Sequence, residues 1–209
     1  MTYTTYFGVE HLDKIFTATK IAFDTETLQL QPETGKLRLL QFGAESTKSI
    51  VVIDLFDVDE DGWDKIDSFL QNGEREWFAH NAVFDLGWFQ ECGLQLNGRI
   101  YCTMIASKLL NNGVPNLKHG LAHLAKRYLD RDISKEQQAS DWGAPVLSKE
   151  QLEYAAKDVE VLLQLDATLP GKIAAAGLDP AYSLECKALP AMAQMWPTGL
   201  PVSYTTLTL

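Results

Sequence analysis

Cysteines, basic residues and long apolar runs are all scarce in this chain, and each scarcity excludes a class of protein. The three cysteines follow no metal-ligand spacing, so we expect reduced and mostly buried thiols rather than a zinc site. No apolar run reaches the roughly 18 residues that a membrane span needs, and the first residues lack the basic and apolar regions of a signal peptide. We therefore expect a cytoplasmic protein with no membrane span.

The charge balance is acidic, with 18 Lys and Arg against 28 Asp and Glu and a formal net charge of -10. Such a chain lacks the broad basic surface of a typical nucleic-acid-binding protein. A small site that grips only the end of a strand is compatible with this charge, although binding there should be weak and sensitive to salt. With 209 residues, 46% of them hydrophobic, we expect a monomer of one domain with at most a short appendage.

Two acidic residues stand at the end of an apolar run in residues 21–27. Side chains two positions apart on a strand point the same way, so Asp24 and Glu26 are expected to lie side by side. Neighbouring carboxylates repel each other, and removal from water makes the repulsion worse. A divalent cation such as Mg²⁺ or Mn²⁺ relieves it, because these ions prefer oxygen ligands. Taken alone, the stretch also fits an ordinary acidic turn after a buried strand.

Two later segments carry acidic residues in comparable positions. Asp85 lies one turn into a helix that follows a strand, where the helix N-terminus tolerates a negative charge. Tyr154 and Asp158 are four residues apart and therefore share one face of a helix. Ala155 and Ala156 are small enough to let that helix lie close to a sheet. Each position also has a structural alternative: a first-turn acid that suits the helix dipole, a core tyrosine and a surface acid.

Hydrophobic patterning predicts five strands flanked by helices. Apolar and β-branched runs predict the strands at residues 20–23, 37–42, 49–54, 76–79 and 99–102. Helical spacing predicts helices at residues 7–19, 63–70 and 84–89, from 103 onward, and from the capping box of Ser148 and Gln151 to about Leu165. An antiparallel meander followed by strand–helix units gives an α/β fold with a mixed sheet and a site at the strand ends.

The three acidic segments resemble, in order, the three motifs of the DEDD superfamily of 3′–5′ exonucleases. The motifs are Asp24-Thr25-Glu26, Asn81 to Asp85, and Tyr154 to Asp158, and the tyrosine marks the tyrosine branch. That branch includes the proofreading domains of family A DNA polymerases, ribonuclease D and the exonuclease of Werner-type helicases. The resemblance covers residues 18–168 and departs at Cys102, where relatives often have an aspartate that is not one of the four core ligands.

The resemblance implies a ribonuclease H-like fold and phosphodiester hydrolysis by two divalent cations, Mg²⁺ or Mn²⁺, that lie about 4 Å apart. It implies that Asp24 binds both ions, that Glu26 and Asp158 complete the nucleophile-side site, and that Asp85 supports the other ion. Tyr154 would orient the attacking water, since a tyrosine with an ordinary pKa of about 10 is a poor base at neutral pH. These five residues form the expected catalytic set.

Five residues are expected to contact the substrate on the same resemblance. Leu30 matches a family leucine that wedges beside the terminal base, and Thr27 offers its backbone N–H to the terminal nucleotide. Asn81 corresponds to the asparagine of the second motif, which contacts the strand. Trp142 would stack on a base, and Lys135 would bind a phosphate. The alternatives are core packing for Leu30, packing for Trp142 and a solvated surface position for Lys135.

The resemblance also divides the chain at residue 175. Residues 1–175 form the exonuclease domain, and residues 176–209 resemble the first helix after the exonuclease in family A polymerases. The implied function is removal of 5′-mononucleotides from the 3′ end of single-stranded DNA during replication proofreading, in a bacterial or phage protein with a polymerase domain or protein as partner. The alternatives are a stand-alone ribonuclease D-like or Werner-like enzyme acting on RNA or DNA, and an inactive binding or structural module.

Overall fold

A six-stranded mixed sheet forms the centre of the computed structural model, which describes residues 2–32, 34–133 and 140–199. The strands are β1 (Thr4–Phe7), β2 (Lys20–Thr27), β3 (Leu37–Ala44), β4 (Ser49–Asp54), β5 (Glu76–Ala79) and β6 (Arg99–Cys102). Their order across the sheet is β1-β4-β3-β2-β5-β6, so β2 is a central strand with a neighbour on each side.

Helices flank this sheet throughout the described part of the chain. The α-helices are α1 (Glu60–Leu70), α2 (Val83–Glu91), α3 (Thr103–Leu110), α4 (Leu121–Leu129), α5 (Lys149–Ala175) and α6 (Asp179–Thr198). Short 3₁₀ helices lie at Val9–Lys14, between β1 and β2, and at Leu55–Asp57, between β4 and α1. None of the described helices is both long and apolar enough to span a membrane.

The strand pairing confirms the predicted mixed sheet, with one strand more than expected. β2, β3 and β4 form the antiparallel meander, while β5 pairs parallel with β2 and β6 pairs parallel with β5. The predicted count of five is wrong because β1 adds an edge strand parallel to β4. This short, half-buried strand lacks the alternation that marks a strand in sequence, and the predicted helix at residues 7–19 is reduced to the 3₁₀ helix at Val9–Lys14.

One face of the sheet packs on a cluster of aromatic rings. Phe23 of β2 stacks on Phe89 of α2 with ring centroids 5.6 Å apart and meets Trp77 of β5 edge-on at 6.1 Å. Phe69 of α1 contacts the same tryptophan at 5.7 Å. Offset and edge-on ring pairs of this kind are favourable beyond the area they bury, so the cluster fixes α1 and α2 against the strands.

Helix α5 lies unusually close to the other face of the sheet. Ala155 and Ala156 are both buried there, as their small size predicted. A Cβ atom on Gly43 of β3 would lie only 2.5 Å from Val159 Cγ1, so a glycine is needed where the helix crosses that strand. This close approach carries residues 154–158 toward the end of β2.

The end of α5 differs from its prediction, since the helix continues past Leu165 to Ala175. Pro170 lies inside this extension, and a proline in a helix interior typically costs about 3 kcal/mol. Leu169 and Ile173 are buried against α3 and α4, and burial of two such side chains contributes a gain of similar size, roughly 3–6 kcal/mol. Tertiary packing thus outweighs the tendency of Pro170 to end the helix.

Helix α6 packs on α2, α3 and β6 and belongs to the same core as the sheet. Cys186, Leu189 and Ala193 are buried in the cluster that also contains residues of β2 and β5. The Tyr182 hydroxyl donates a hydrogen bond to the Cys102 carbonyl at 3.3 Å, which ties α6 to the end of β6. Residues 200–209, the last part of the segment compared with a polymerase, lie outside the described residues.

Candidate active site

Two acidic side chains extend from the C-terminal end of β2, the central strand. Asp24 and Glu26 lie on the same side of the strand, as the alternation predicts, and both keep part of their surface open to a cavity. One carboxylate oxygen of each, together with one from Asp158, forms a group whose atoms all lie within 4.8 Å of one another. Carboxylates that are distant in sequence thus meet at the end of a strand, which is where the sequence analysis expected the site.

Asp85 is held beside this group by the first turn of α2. Its side chain is buried, and the Thr25 hydroxyl donates a hydrogen bond to its Oδ1 at 2.6 Å. The chain enters α2 through Asn81, which has a left-handed backbone (φ 60°) and whose carbonyl accepts from the Phe84 N–H at 2.8 Å. The sequence analysis did not predict this hydrogen bond from Thr25, although the position of Thr25 between Asp24 and Glu26 places it close to the site.

Tyr154 and Asp158 reach the site from successive turns of α5. The helix begins at the predicted capping box, in which the Gln151 N–H donates to Ser148 Oγ at 3.2 Å and the Ser148 N–H donates to Gln151 Oε1 at 2.9 Å. Asp158 is buried and accepts a hydrogen bond from the Tyr154 hydroxyl. The Trp142 ring lies 6.4 Å from the Tyr154 ring and supports it from the side.

The electrostatics of the site reflect four acids in one small volume. Burial and then the charges of Asp85, Asp158 and Glu26 raise the pKa of Asp24 well above its ordinary value. Burial and then the charges of Asp158 and Asp85 raise the pKa of Glu26 to about 9. Burial also raises the pKa of Asp85 and of Asp158, each opposed by its hydrogen-bond donor, the Thr25 or Tyr154 hydroxyl. The four acids therefore cannot all ionise near neutral pH without a positive charge among them.

A hard divalent cation fits this donor set. The clustered ligand atoms are carboxylate oxygens of Asp24, Glu26 and Asp158, with Asp85 coupled to them electrostatically. Mg²⁺ and Mn²⁺ prefer such oxygen ligands, whereas zinc sites are typically built from cysteine and histidine. The raised pKa values show that ionising these buried carboxylates is unfavourable when no cation is bound. Cation binding and carboxylate ionisation therefore stabilise each other.

This coupling predicts that metal binding stabilises the fold and that Asp24→Asn stabilises the metal-free protein. An acid whose pKa is higher in the folded than in the unfolded state destabilises the fold progressively as pH rises from about 4 through the folded pKa. At pH 8 in EDTA, Asp24→Asn should therefore raise the midpoint of thermal unfolding. Mg²⁺ at 100 times its Kd should raise the wild-type midpoint by roughly 5–10 °C, and that of the variant by much less.

Thermal unfolding of both proteins at pH 5 and pH 8, with EDTA or Mg²⁺, measures these shifts. Asp57→Asn is the matched control, because Asp57 is exposed and does not line the active-site cavity. A lower metal-free midpoint for Asp24→Asn, with an unchanged response to Mg²⁺, would contradict the coupling.

A cavity of about 390 Å³ opens above the carboxylates. Among the residues expected to contact substrate, Thr27, Leu30, Asn81 and Trp142 all line it. Leu30 is 76% exposed and projects at the rim, whereas Trp142 is only 4% exposed and lies in the wall. Lys135 lies outside the described residues.

His80 lines the same cavity and was missed by sequence reasoning, although it directly precedes Asn81. Its Nδ1 lies 2.9 Å from the Thr103 hydroxyl, which in turn donates to the Ala79 carbonyl at 3.3 Å. Burial and then the nearby Lys108 ammonium lower the pKa of His80 to about 4, so the ring is neutral at pH 7.

Comparison with known proteins agrees with this geometry. A family model described as 3′–5′ exonuclease matches residues 3–174. DNA polymerase I of Aquifex aeolicus is 38% identical over 143 residues, which is 68% of this chain and 22% of that protein. Ribonuclease D of Escherichia coli is 29% identical over 172 residues, 81% of this chain and 43% of that protein. The chain thus spans less than half the length of these relatives.

Solved structures of nucleases superimpose on most of the chain. Brucella melitensis NrnC bound to pGG has a TM-score of 0.82 and 30% identity, and each chain covers 99% of the other. The structure of the same protein with bound Mg²⁺ has a TM-score of 0.81 and 29% identity, again with 99% of each chain covered. Ribonuclease D of Escherichia coli has a TM-score of 0.79 and 25% identity, covering 93% of this chain and 51% of that chain.

The family model, the relatives and the solved structures all agree with the motifs and the sheet described above. The fold is that of the ribonuclease H-like exonucleases, and the chain is homologous to the exonuclease of DNA polymerase I. The chain belongs to the 3′–5′ exonuclease family, whose members are hydrolases acting on nucleic acids.

Proposed function

We propose that the chain removes 5′-mononucleotides one at a time from the 3′ end of single-stranded DNA, as a proofreading exonuclease in replication. The observation that carries this proposal is the convergence of Asp24, Glu26 and Asp158, with one carboxylate oxygen of each lying within 4.8 Å of the others. The Tyr154 hydroxyl is hydrogen-bonded to Asp158 in the same group. A cluster of this kind serves hydrolysis of a charged phosphodiester, for which cations and a positioned water are needed.

Each acid has a separate role in this proposal. Asp24 interacts with all three other acids and would hold both cations, while Glu26 and Asp158 complete the site nearer the water. Asp85, held by Thr25, would support the second cation. When bound, such ions act as Lewis acids and lower the pKa of a coordinated water.

Tyr154 positions the water rather than accepting its proton. Burial and then the Asp158 charge raise the pKa of its hydroxyl further above the ordinary value, so the phenolate is not formed at neutral pH. Attack of the oriented water at phosphorus breaks the bond to the 3′ oxygen of the preceding nucleotide. The products are a mononucleotide that keeps its 5′ phosphate and a strand shortened by one residue with a new 3′ hydroxyl.

The cavity above the carboxylates favours a single strand. Leu30 at the rim would wedge beside the terminal base, the Thr27 backbone N–H and Asn81 would contact the terminal nucleotides, and Lys135 would bind a phosphate. Stacking of Trp142 on a base stays a prediction, since its side chain is only 4% exposed in the cavity wall. Melting a duplex end costs a few kcal/mol, which an unpaired end avoids.

A second candidate, cleavage of RNA, is favoured by two solved structures. NrnC, whose structure contains pGG, and ribonuclease D both superimpose on more than nine-tenths of this chain. No described contact at the cavity identifies a partner for a 2′ hydroxyl, which is what separates RNA from DNA.

For a proofreading role we propose residues 1–175 as the exonuclease unit and residues 176–209 as its junction with a polymerase.

Digestion of matched 5′-labelled DNA and RNA tests both candidates. We expect a ladder that shortens from the 3′ end in Mg²⁺ or Mn²⁺, no cleavage in excess EDTA, and slower cleavage of blunt duplex. DNA should be degraded faster than RNA, and a mismatched primer end faster than a paired one. Preference for RNA would establish the second candidate instead, whereas early loss of the 5′ label or full activity in EDTA would contradict both.

A further inference from the structure

We propose that the groove between α3 and α6 binds the second and third nucleotides of the substrate strand, with Lys108 on one of their phosphates. This inference rests on the proposed single-strand exonuclease function. It assigns a second site, outside the carboxylate cavity, whose ligand is the upstream part of the same strand.

The groove is continuous with the active-site cavity. It encloses about 500 Å³, and Asn81 and Met104 line both spaces. Asn81 stands at the mouth of the carboxylate cavity with an exposed side chain, so a strand that passes it enters the groove without crossing the protein core. A terminal nucleotide in the cavity therefore places the next nucleotides in this groove.

Helix α3 and the residues that follow it are basic for so acidic a protein. Residues 103–131 contain five Lys or Arg and one acidic residue, in a chain with 28 acidic and 18 basic residues. Three of the five are engaged: Lys126 with Asp130 and Asp132, Arg127 with Ser107, and Arg131 with Glu160. Lys108 is exposed, lines the groove, and makes no ion pair or hydrogen bond with any described residue. It is available for a phosphate.

The two walls of the groove suit different parts of a nucleotide. Lys108 lies on the α3 wall, whereas Glu185 of α6 is exposed on the opposite wall and repels phosphate. The backbone of the strand should therefore follow α3, with its bases toward α6. There Leu189 is buried and Met192 is 48% exposed, and a thioether makes favourable contacts with flat aromatic rings of any base identity.

Binding of the mononucleotide dTMP and of an octanucleotide of single-stranded DNA tests the groove. The mononucleotide occupies only the terminal position in the cavity and does not reach the groove, so it is an internal control. Binding is followed by calorimetry in Ca²⁺, and cleavage of the octanucleotide in Mg²⁺. Lys108→Ala should weaken octanucleotide binding about fivefold and make its salt dependence shallower by about 0.7 in log–log slope. The same change should alter dTMP binding less than twofold.

Met192→Asp and Lys187→Ala complete the design. Met192→Asp places a charge against the bases and should weaken only the octanucleotide, whereas Lys187, exposed on the same helix but outside the groove, should be neutral on mutation. Equal losses for dTMP and the octanucleotide, or no loss for the octanucleotide, would overturn the groove assignment. If the wild type binds the octanucleotide but cleaves nothing, the proposed function fails while the Lys108→Ala binding result still decides the groove.

Discussion

Asp24→Asn should reduce the single-turnover rate of 3′-end cleavage by at least about 10³-fold, roughly 4 kcal/mol of barrier. Asp24 is the acid whose pKa is raised by all three of its neighbours, which places it at the electrostatic centre of the cluster. Asparagine keeps the shape of the side chain but removes the charge that holds the cations, and these supply several kcal/mol of transition-state stabilisation. Calorimetric titration with Mn²⁺ should show binding lost or strongly weakened.

Two controls separate this effect from misfolding. Circular dichroism of Asp24→Asn should match the wild type, and Asp57→Asn, at an exposed acid that does not line the cavity, should cleave at the normal rate. An Asp24→Asn protein that binds Mn²⁺ normally and keeps more than a tenth of the rate would remove Asp24 from the proposed centre of the site.

Tyr154→Phe should lower the same rate by about 10²-fold, roughly 3 kcal/mol, and leave metal binding intact. The substitution keeps the ring that packs against Trp142 and removes only the hydroxyl, which is bonded to Asp158 and proposed to orient the water. Single-turnover rates beside Mn²⁺ calorimetry distinguish the two variants, since the aspartate change affects both measurements and the tyrosine change only the first.

Tyr6→Phe is the matched control, because Tyr6 lies in β1, away from the active-site cavity. If Tyr154→Phe kept the full rate, Tyr154 would be a packing residue. The proposed role of the tyrosine would then be withdrawn, while the four acids would still define a metal site.

Local rules predicted how the acidic residues are arranged within each segment, whereas their joining in one site was implied by the family resemblance. Strand alternation placed Asp24 beside Glu26, and the four-residue spacing placed Tyr154 above Asp158, because both depend only on backbone periodicity. The capping box at Ser148 is likewise a local signal. These features survive in the fold because nothing in the tertiary packing opposes them.

Contacts between segments that are distant in sequence could not be predicted from hydrophobic periodicity. The hydrogen bond from Thr25 to Asp85 spans 60 residues, and the His80–Thr103 contact spans 23, so neither leaves a periodic signal. The same limitation explains β1, an edge strand defined only by its pairing with β4. It also explains the continuation of α5 beyond Pro170, which depends on burial against helices elsewhere in the chain.

The position of α5 late in the chain has a consequence for synthesis. Asp24, Glu26 and Asp85 leave the ribosome first, while Tyr154 and Asp158 follow on a 27-residue helix that must also emerge before it can pack on the sheet. A growing chain therefore carries an incomplete set of ligands until that helix has emerged. Nucleic acid close to the nascent protein, including its own message, meets a finished nuclease only after that helix has docked.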